Sequence, residues 1–200
     1  MEIKKLVLGP LKTNCYFVIN NNECVVIDPA TNSEKILEFA QENKVNIKAI
    51  FLTHGHFDHC SATLSLQNTG IKVYTSKFDY EILKSSPKDF KLSPTKGFTA
   101  DFVVKDNQEI DLIGLKIKVI TTPGHTEGSV SYLIENNLFC GDTIFEGGDY
   151  GRFDFFSGNY EKIKQSIKEK LFTLNDNIKV FPGHGVDTTI GREKSLLKDF

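Results

Sequence analysis

The stretch "IKAIFLTHGHFDH", residues 47–59, holds the key to this chain. Its first seven residues are apolar and β-branched enough to read as a buried strand over 47–53. Four metal-ligand types then follow within six residues: His54, His56, Asp58 and His59. In extended backbone, residues i and i+2 point to the same side, so His54 and His56 can reach one ion. Asp58 and His59 lie a turn further on and can serve a second.

The two remaining histidines have the same local setting. His125 in "TTPGHTEGS" and His184 in "FPGHGVD" each follow a Pro-Gly at the end of an apolar strand. Taken singly, each reads more readily as structural than as a ligand. All five histidines, however, sit just past predicted strands and beside glycine or another ligand type. Loops at strand ends suit this task, because a rigid sheet fixes the backbone while the loop turns side chains toward one point. Asp142 in "NLFCGDTIF" occupies an equivalent position. Alone it reads as a turn or capping aspartate. Beside the histidines, its two oxygens can bridge two cations. Seven ligands are too many for one tetrahedral zinc and suit two ions with positions left open for water. Imidazole and carboxylate donors without thiolate fit Zn, Fe or Mn, with zinc first, and argue against an iron–sulfur cluster or zinc ribbon.

Working outward, strands are expected near 2–8, 14–20 and 23–28. A helix is expected over "TNSEKILEFAQENK", capped by Asn32 or Ser33, with Ile36, Leu37 and Ala40 facing inward. A short helix over about 60–68 and a strand at "IKVYTS" come next. Residues 84–100 contain two prolines and no clear period. They read as a surface loop, the alternative being a flap that carries Phe90 and Phe98 toward a site. Further strands are expected near 115–122, 129–134 and 137–141. The helix "YEKIKQSIKEKL" places Tyr160, Ile163, Ile167 and Leu171 at helical spacing. "IKVFPGHG" is a last strand and "TTIGREKSLLKDF" a closing helix. Two halves, each of several strands with a helix or two, imply two packed sheets with helices outside.

The bulk properties set the frame. The chain has 200 residues, 40% hydrophobic and 25% charged, with a net charge of −2. That balance gives no support to a nucleic-acid or membrane partner. The apolar run Leu6–Leu8 is too short for a signal-peptide core, and no stretch has the length of a membrane span, so a cytoplasmic protein is expected. Cys15, Cys24, Cys60 and Cys140 form no CxxC pair and read as buried, reduced thiols.

With all four pieces in order ("HGHFDH", "PGHTEGS", "CGDTIF" and "PGHG"), the chain resembles the metallo-β-lactamase superfamily from about residue 13 to 187. The resemblance implies an α/β, four-layer αββα sandwich of two mixed β-sheets. It also implies one domain over residues 1–200. "GDTIFEGGDYGRFDF" is similar to the corresponding segment of short glyoxalase II-like hydrolases. That likeness implies a thioester substrate such as S-D-lactoylglutathione, with Arg152 anchoring its thiol-carrier portion; the other reading of Arg152 is a surface arginine paired with Asp154. Only residues 185–200 follow His184, so the C-terminal helical domain with which glyoxalase II binds glutathione is not expected. By the family pattern His54, His56 and His125 hold one metal and Asp58, His59 and His184 the other. Asp142 bridges them, and a shared hydroxide attacks the carbonyl, with Asp58 orienting it or shuttling its proton. The alternatives are a persulfide dioxygenase-like enzyme with one iron, and a hydrolase of another ester or lactone. Flavodiiron proteins fit less well, having Glu where His56 stands, and so do the longer nucleases of the superfamily.

Overall fold

The structure is a computed structural model that describes residues 1–85, 98–198 and 200. Its first sheet is ordered in space as in the chain: β1 (Glu2–Leu8), β2 (Thr13–Asn20), β3 (Glu23–Ile27), β4 (Asn46–Phe51), β5 (Lys72–Ser76) and β6 (Phe102–Val104). The first three strands pair antiparallel and the rest parallel. The second sheet contains β7 (Glu109–Leu112), β8 (Leu115–Thr121), β9 (Val130–Ile134), β10 (Asn137–Gly141), β13 (Lys179–Pro182) and β14 (Thr188–Thr189). It is antiparallel except for the β10–β13 pair, and its order is β14-β13-β10-β9-β8-β7. β11 (Ile144–Phe145) and β12 (Asp149–Tyr150) form a separate two-stranded ribbon.

Side-chain alternation builds the layers. On β2, Tyr16 and Val18 face the second sheet, where they meet Phe139 and Phe181; Cys15, Phe17 and Ile19 face the other way. β3 and β4 divide in the same manner, with Val25, Ile27, Ala49 and Phe51 between the sheets. Both faces of these strands are buried, which is why they read as near-continuous apolar runs. α1 (Ser33–Glu42) and α3 (Thr63–Gln67) cover the outer face of the first sheet through Ile36, Ala40 and Leu66. α5 (Tyr160–Gln165) and α6 (Ile190–Leu196) cover the second through Ile163 and Ile190. The result is an αββα sandwich of two mixed sheets. All four cysteines are buried. Among the described residues, no helix is long and apolar enough to cross a membrane.

Several boundaries differ from the sequence expectation. Asn32 is the cap of α1, its Oδ1 accepting from Lys35 N at 3.1 Å, but Leu37 is exposed because the helix buries only a narrow stripe. The helix expected at 60–68 is two pieces. α2 (Phe57–Cys60) starts inside the histidine motif, and α3 follows after a turn. The helix expected over 160–171 keeps α geometry only to Gln165, then widens into a π turn over Ser166–Lys170. Tyr160 is exposed while Ile163, Ile167 and Leu171 are buried. Most of the 84–100 segment, Phe90 included, lies outside the described residues. Phe98 packs in the outer core of the first sheet beside Tyr80, away from any flap role.

Candidate metal centre

The two sheets meet along one edge, and hydrogen bonds join them there. Tyr132 Oη donates to Leu52 O and Tyr16 Oη to Pro182 O, both at 2.7 Å. Val130 N donates to Thr53 O at 2.8 Å and Asn14 N to Gly183 O at 2.7 Å. The loops that leave this edge carry every ligand type singled out in the sequence. His54, His56, Asp58 and His59 follow β4, His125 lies between β8 and β9, Asp142 follows β10, and His184 follows β13.

Two trios result. Ligand atoms of His54, His56 and His125 lie within 4.8 Å of one another, and so do those of Asp58, His59 and His184. His56 Nδ1 and His125 Nε2 are 2.8 Å apart, and His59 Nε2 and His184 Nε2 3.4 Å apart. Asp142 stands between the trios. Its Oδ2 is 3.6 Å from His125 Nε2 and 3.4 Å from His184 Nε2, while its Oδ1 is 3.4 Å from His59 Nε2. Asp58 Oδ2 is 3.3 Å from His184 Nε2 and also accepts from Thr13 Oγ1 at 2.8 Å. Gly183 lets the strands close in here, because a Cβ on it would lie 2.1 Å from Asp142 Oδ1.

The outward nitrogens decide which inward atoms carry lone pairs. His125 Nδ1 donates to Arg152 O at 2.6 Å and His184 Nδ1 to Leu11 O at 3.0 Å. His59 Nδ1 donates to Asp28 Oδ2 at 2.8 Å. Thr53 Oγ1 donates to the same oxygen at 2.6 Å and accepts from His54 Nδ1 at 3.0 Å. One aspartate therefore sets the tautomer of a histidine in each trio. The inward Nε2 of His54 and Oδ1 of Asp142 are buried with no hydrogen-bond partner among the described residues. Orphaned acceptors facing other acceptors at a convergent point fit divalent cations, so the donor set suits the implied metals.

Electrostatics separate the halves. Burial, and the neighbouring imidazoles, push His54 well down and His56 down to about 3, so both stay neutral and keep their lone pairs. His125 is likewise lowered by burial. Burial opposes charge on Asp58 and Asp142, but the histidines beside them win and hold Asp58 down to about 2 and Asp142 well below its usual range. For His184 burial works downward, yet hydrogen bonds to Asp142 and Asp58 raise it to about 10.

The geometry thus brings together all seven residues expected as metal ligands. Arg152 is nearby through its backbone, but its exposed guanidinium is held in a two-point pair with Asp154, at 2.9 and 2.8 Å. That guanidinium also lies 4.2 Å from the Phe155 ring, which in turn packs against His56. The sequence reading overlooked Asp28 and Asp79. Asp28 in "VVIDPA" carries the same signal as Asp142, an acid directly after an apolar strand, and Asp79 carries no such signal.

Residues 8–184 match the family model of the metallo-beta-lactamase superfamily. The hydroxyacylglutathione hydrolase GloC of Haemophilus influenzae is 34% identical over 203 residues, an alignment covering 97% of this chain and 95% of GloC. Among solved structures, BLEG-1 B3 metallo-beta-lactamase has a TM-score of 0.88 at 32% identity, with 97% of each chain covered. TTHA1623 in a di-iron-bound form has a TM-score of 0.85 at 30% identity, covering 96% of this chain and 98% of that one. A histidine–aspartate cluster at the shared edge of two sheets, the motif order that builds it, and a family match spanning both sheets lead to one conclusion: the chain belongs to the metallo-β-lactamase superfamily.

Proposed function

We propose that this metal-dependent hydrolase cleaves a small-molecule thioester of the S-D-lactoylglutathione kind. The observation that carries the reading is the pair of trios around Asp142, with the inward atoms of His54 and Asp142 left without hydrogen-bond partners among the described residues. The choice of thioester is supported by the likeness to GloC. In this reading His54, His56 and His125 hold one divalent ion, Asp58, His59 and His184 hold the other, and Asp142 contributes to both. Zn, Fe and Mn all suit these donors. When bound, such ions would lower the pKa of a water toward about 7 and would stabilise the oxyanion of an attacked carbonyl.

The chain's own groups do the rest. Asp58, held ionised, remains a hydrogen-bond acceptor, so Oδ2 orients a nucleophilic water better than it stores its proton. Cys60 Sγ is turned to the carbonyls of Gly55 and His56, an arrangement that does not present it as a nucleophile. Arg152 anchors an anionic part of the substrate by exchanging its Asp154 partner for it.

A single-iron dioxygenase needs only His54 or a neighbour, His125 and Asp142. The second trio is built as fully as the first, which favours two ions and hydrolysis. The test is anaerobic purification with metal analysis, then assay on S-D-lactoylglutathione, other acyl thioesters, glutathione persulfide and a β-lactam. Two metal equivalents, thioester turnover and its loss on chelation are expected. Asp142→Ala should lower metal content and reduce kcat by at least about 100-fold. Undiminished turnover in metal-free protein, or one iron with oxygen uptake on the persulfide, would overturn the reading.

A further inference from the structure

Asp79, on α4 (Lys77–Ser85), is 3% exposed and presents no atom to either trio. Its carboxylate nevertheless joins the two loops that carry His54, His56 and His125. Oδ2 accepts from Gly55 N and from Thr126 Oγ1, each at 2.8 Å, and Oδ1 accepts from Gly128 N at 3.0 Å. Gly55 is the residue between His54 and His56, and Thr126 follows His125. The fit around the carboxylate is close: a Cβ on Gly128 would lie 2.3 Å from Oδ1. These three donors are neutral groups. Burial raises the Asp79 carboxyl to about 6, against the pull of those hydrogen bonds. An ionised group in such a place is costly, and an apolar side chain of the same size would avoid the cost. What an apolar side chain cannot do is hold two loop backbones at a set separation.

We propose that Asp79 is a positioning residue for the His54, His56 and His125 half of the centre, setting the metal affinity of that half and not of the other. The proposal rests on the two-metal reading above. Asp28 differs from Asp79 in kind, because it reaches a histidine of each trio, one directly and one through Thr53. Asp79→Asn tests the idea sharply. An amide offers one acceptor oxygen where three donors converge, so its NH2 must face a backbone N–H, that of Gly128 or of Gly55, and at least one of the three ties is lost.

Zinc alone is titrated calorimetrically into the metal-free full chain, in the wild type and in His184→Ala and His56→Ala backgrounds, each with and without Asp79→Asn. Asp79→Asn should weaken zinc binding about 10–100-fold in the His184→Ala background, where the first trio is intact. In the His56→Ala background, where that trio is already broken, the loss should stay within about threefold, the two changes being non-additive. Equal losses in both backgrounds would make Asp79 merely structural, and no loss in either would remove its role; both overturn the proposal. Should Asp79→Asn fail to fold by circular dichroism, Thr126→Val removes one of the three donors at nearly constant volume and must give the same asymmetry at smaller size. Wild-type protein that takes up no zinc, or one equivalent, sinks the two-metal reading and this proposal with it; two equivalents without the asymmetry sink the proposal alone.

Discussion

Asp28 and Asp79 are both buried, yet they act on the centre by different routes. Asp28 sits at φ 50°, a left-handed conformation that Asp tolerates better than most residues. There its carboxylate meets Thr53 N, Thr53 Oγ1 and His59 Nδ1. Asp79 meets backbone instead, and its ionisation has a measurable consequence away from the metals. Its carboxyl is raised from 3.8 to about 6, so between those values the folded chain keeps a proton that the unfolded chain has lost. This group's contribution to stability is therefore complete below its ordinary value and is lost as pH rises through about 6. Relative to Asp79→Asn, metal-free wild-type protein should lose roughly 2 kcal/mol between pH 4 and 7. Urea unfolding of both proteins at several pH values checks this, and a constant gap would contradict it.

At the scale of elements, period and burial agree along most strands and helices long enough to carry a period, with Leu37 and Tyr160 as exposed exceptions. The alternation on β2 and β3, and the Asn32 cap of α1, were legible in advance. β6, β11, β12 and β14 have two or three residues each, too few to register as a pattern. The widening after Gln165 was not legible either. Ser166 Oγ donates to Pro123 O there at 2.7 Å, a contact with the loop before His125 that no local spacing announces. Tyr132 is another such case. It falls within the strand expected near 129–134, but its hydroxyl on β9 ties to Leu52 O, just past β4 in the opposite sheet. Tyr132→Phe should cost about 1–2 kcal/mol by urea unfolding, for one buried hydrogen bond lost without a cavity. A change within a few tenths of a kcal/mol would mean that the tie between the sheets contributes little.

For the molecule as a whole, the centre is a joint between its two halves. Four of the seven candidate ligands leave the first sheet and three leave the second, all along the shared edge. Metal uptake should therefore stabilise the entire fold and not one loop. At zinc held about 100-fold above the dissociation constant, each bound ion should add about 2.7 kcal/mol to unfolding. Thermal melts with zinc and with chelator should show one shifted, still cooperative transition; an unshifted melt would argue against the joint. Local chemistry along the chain already marked the seven residues that meet. Ligand types at strand ends are local chemistry, and their order along the chain matched one family's layout. The sequence also implied the sandwich, because alternation and apolar runs follow from which faces are buried. The Arg152–Asp154 pair, two residues apart, was one of two readings open in the sequence. Closure of the sheets, by contrast, set which nitrogen of each histidine faces inward and placed Asp28 and Asp79 behind the centre. Those contacts join groups as far apart as His184 and Leu11, and their pairing depends on how two sheets close against each other, which no local pattern of residues encodes.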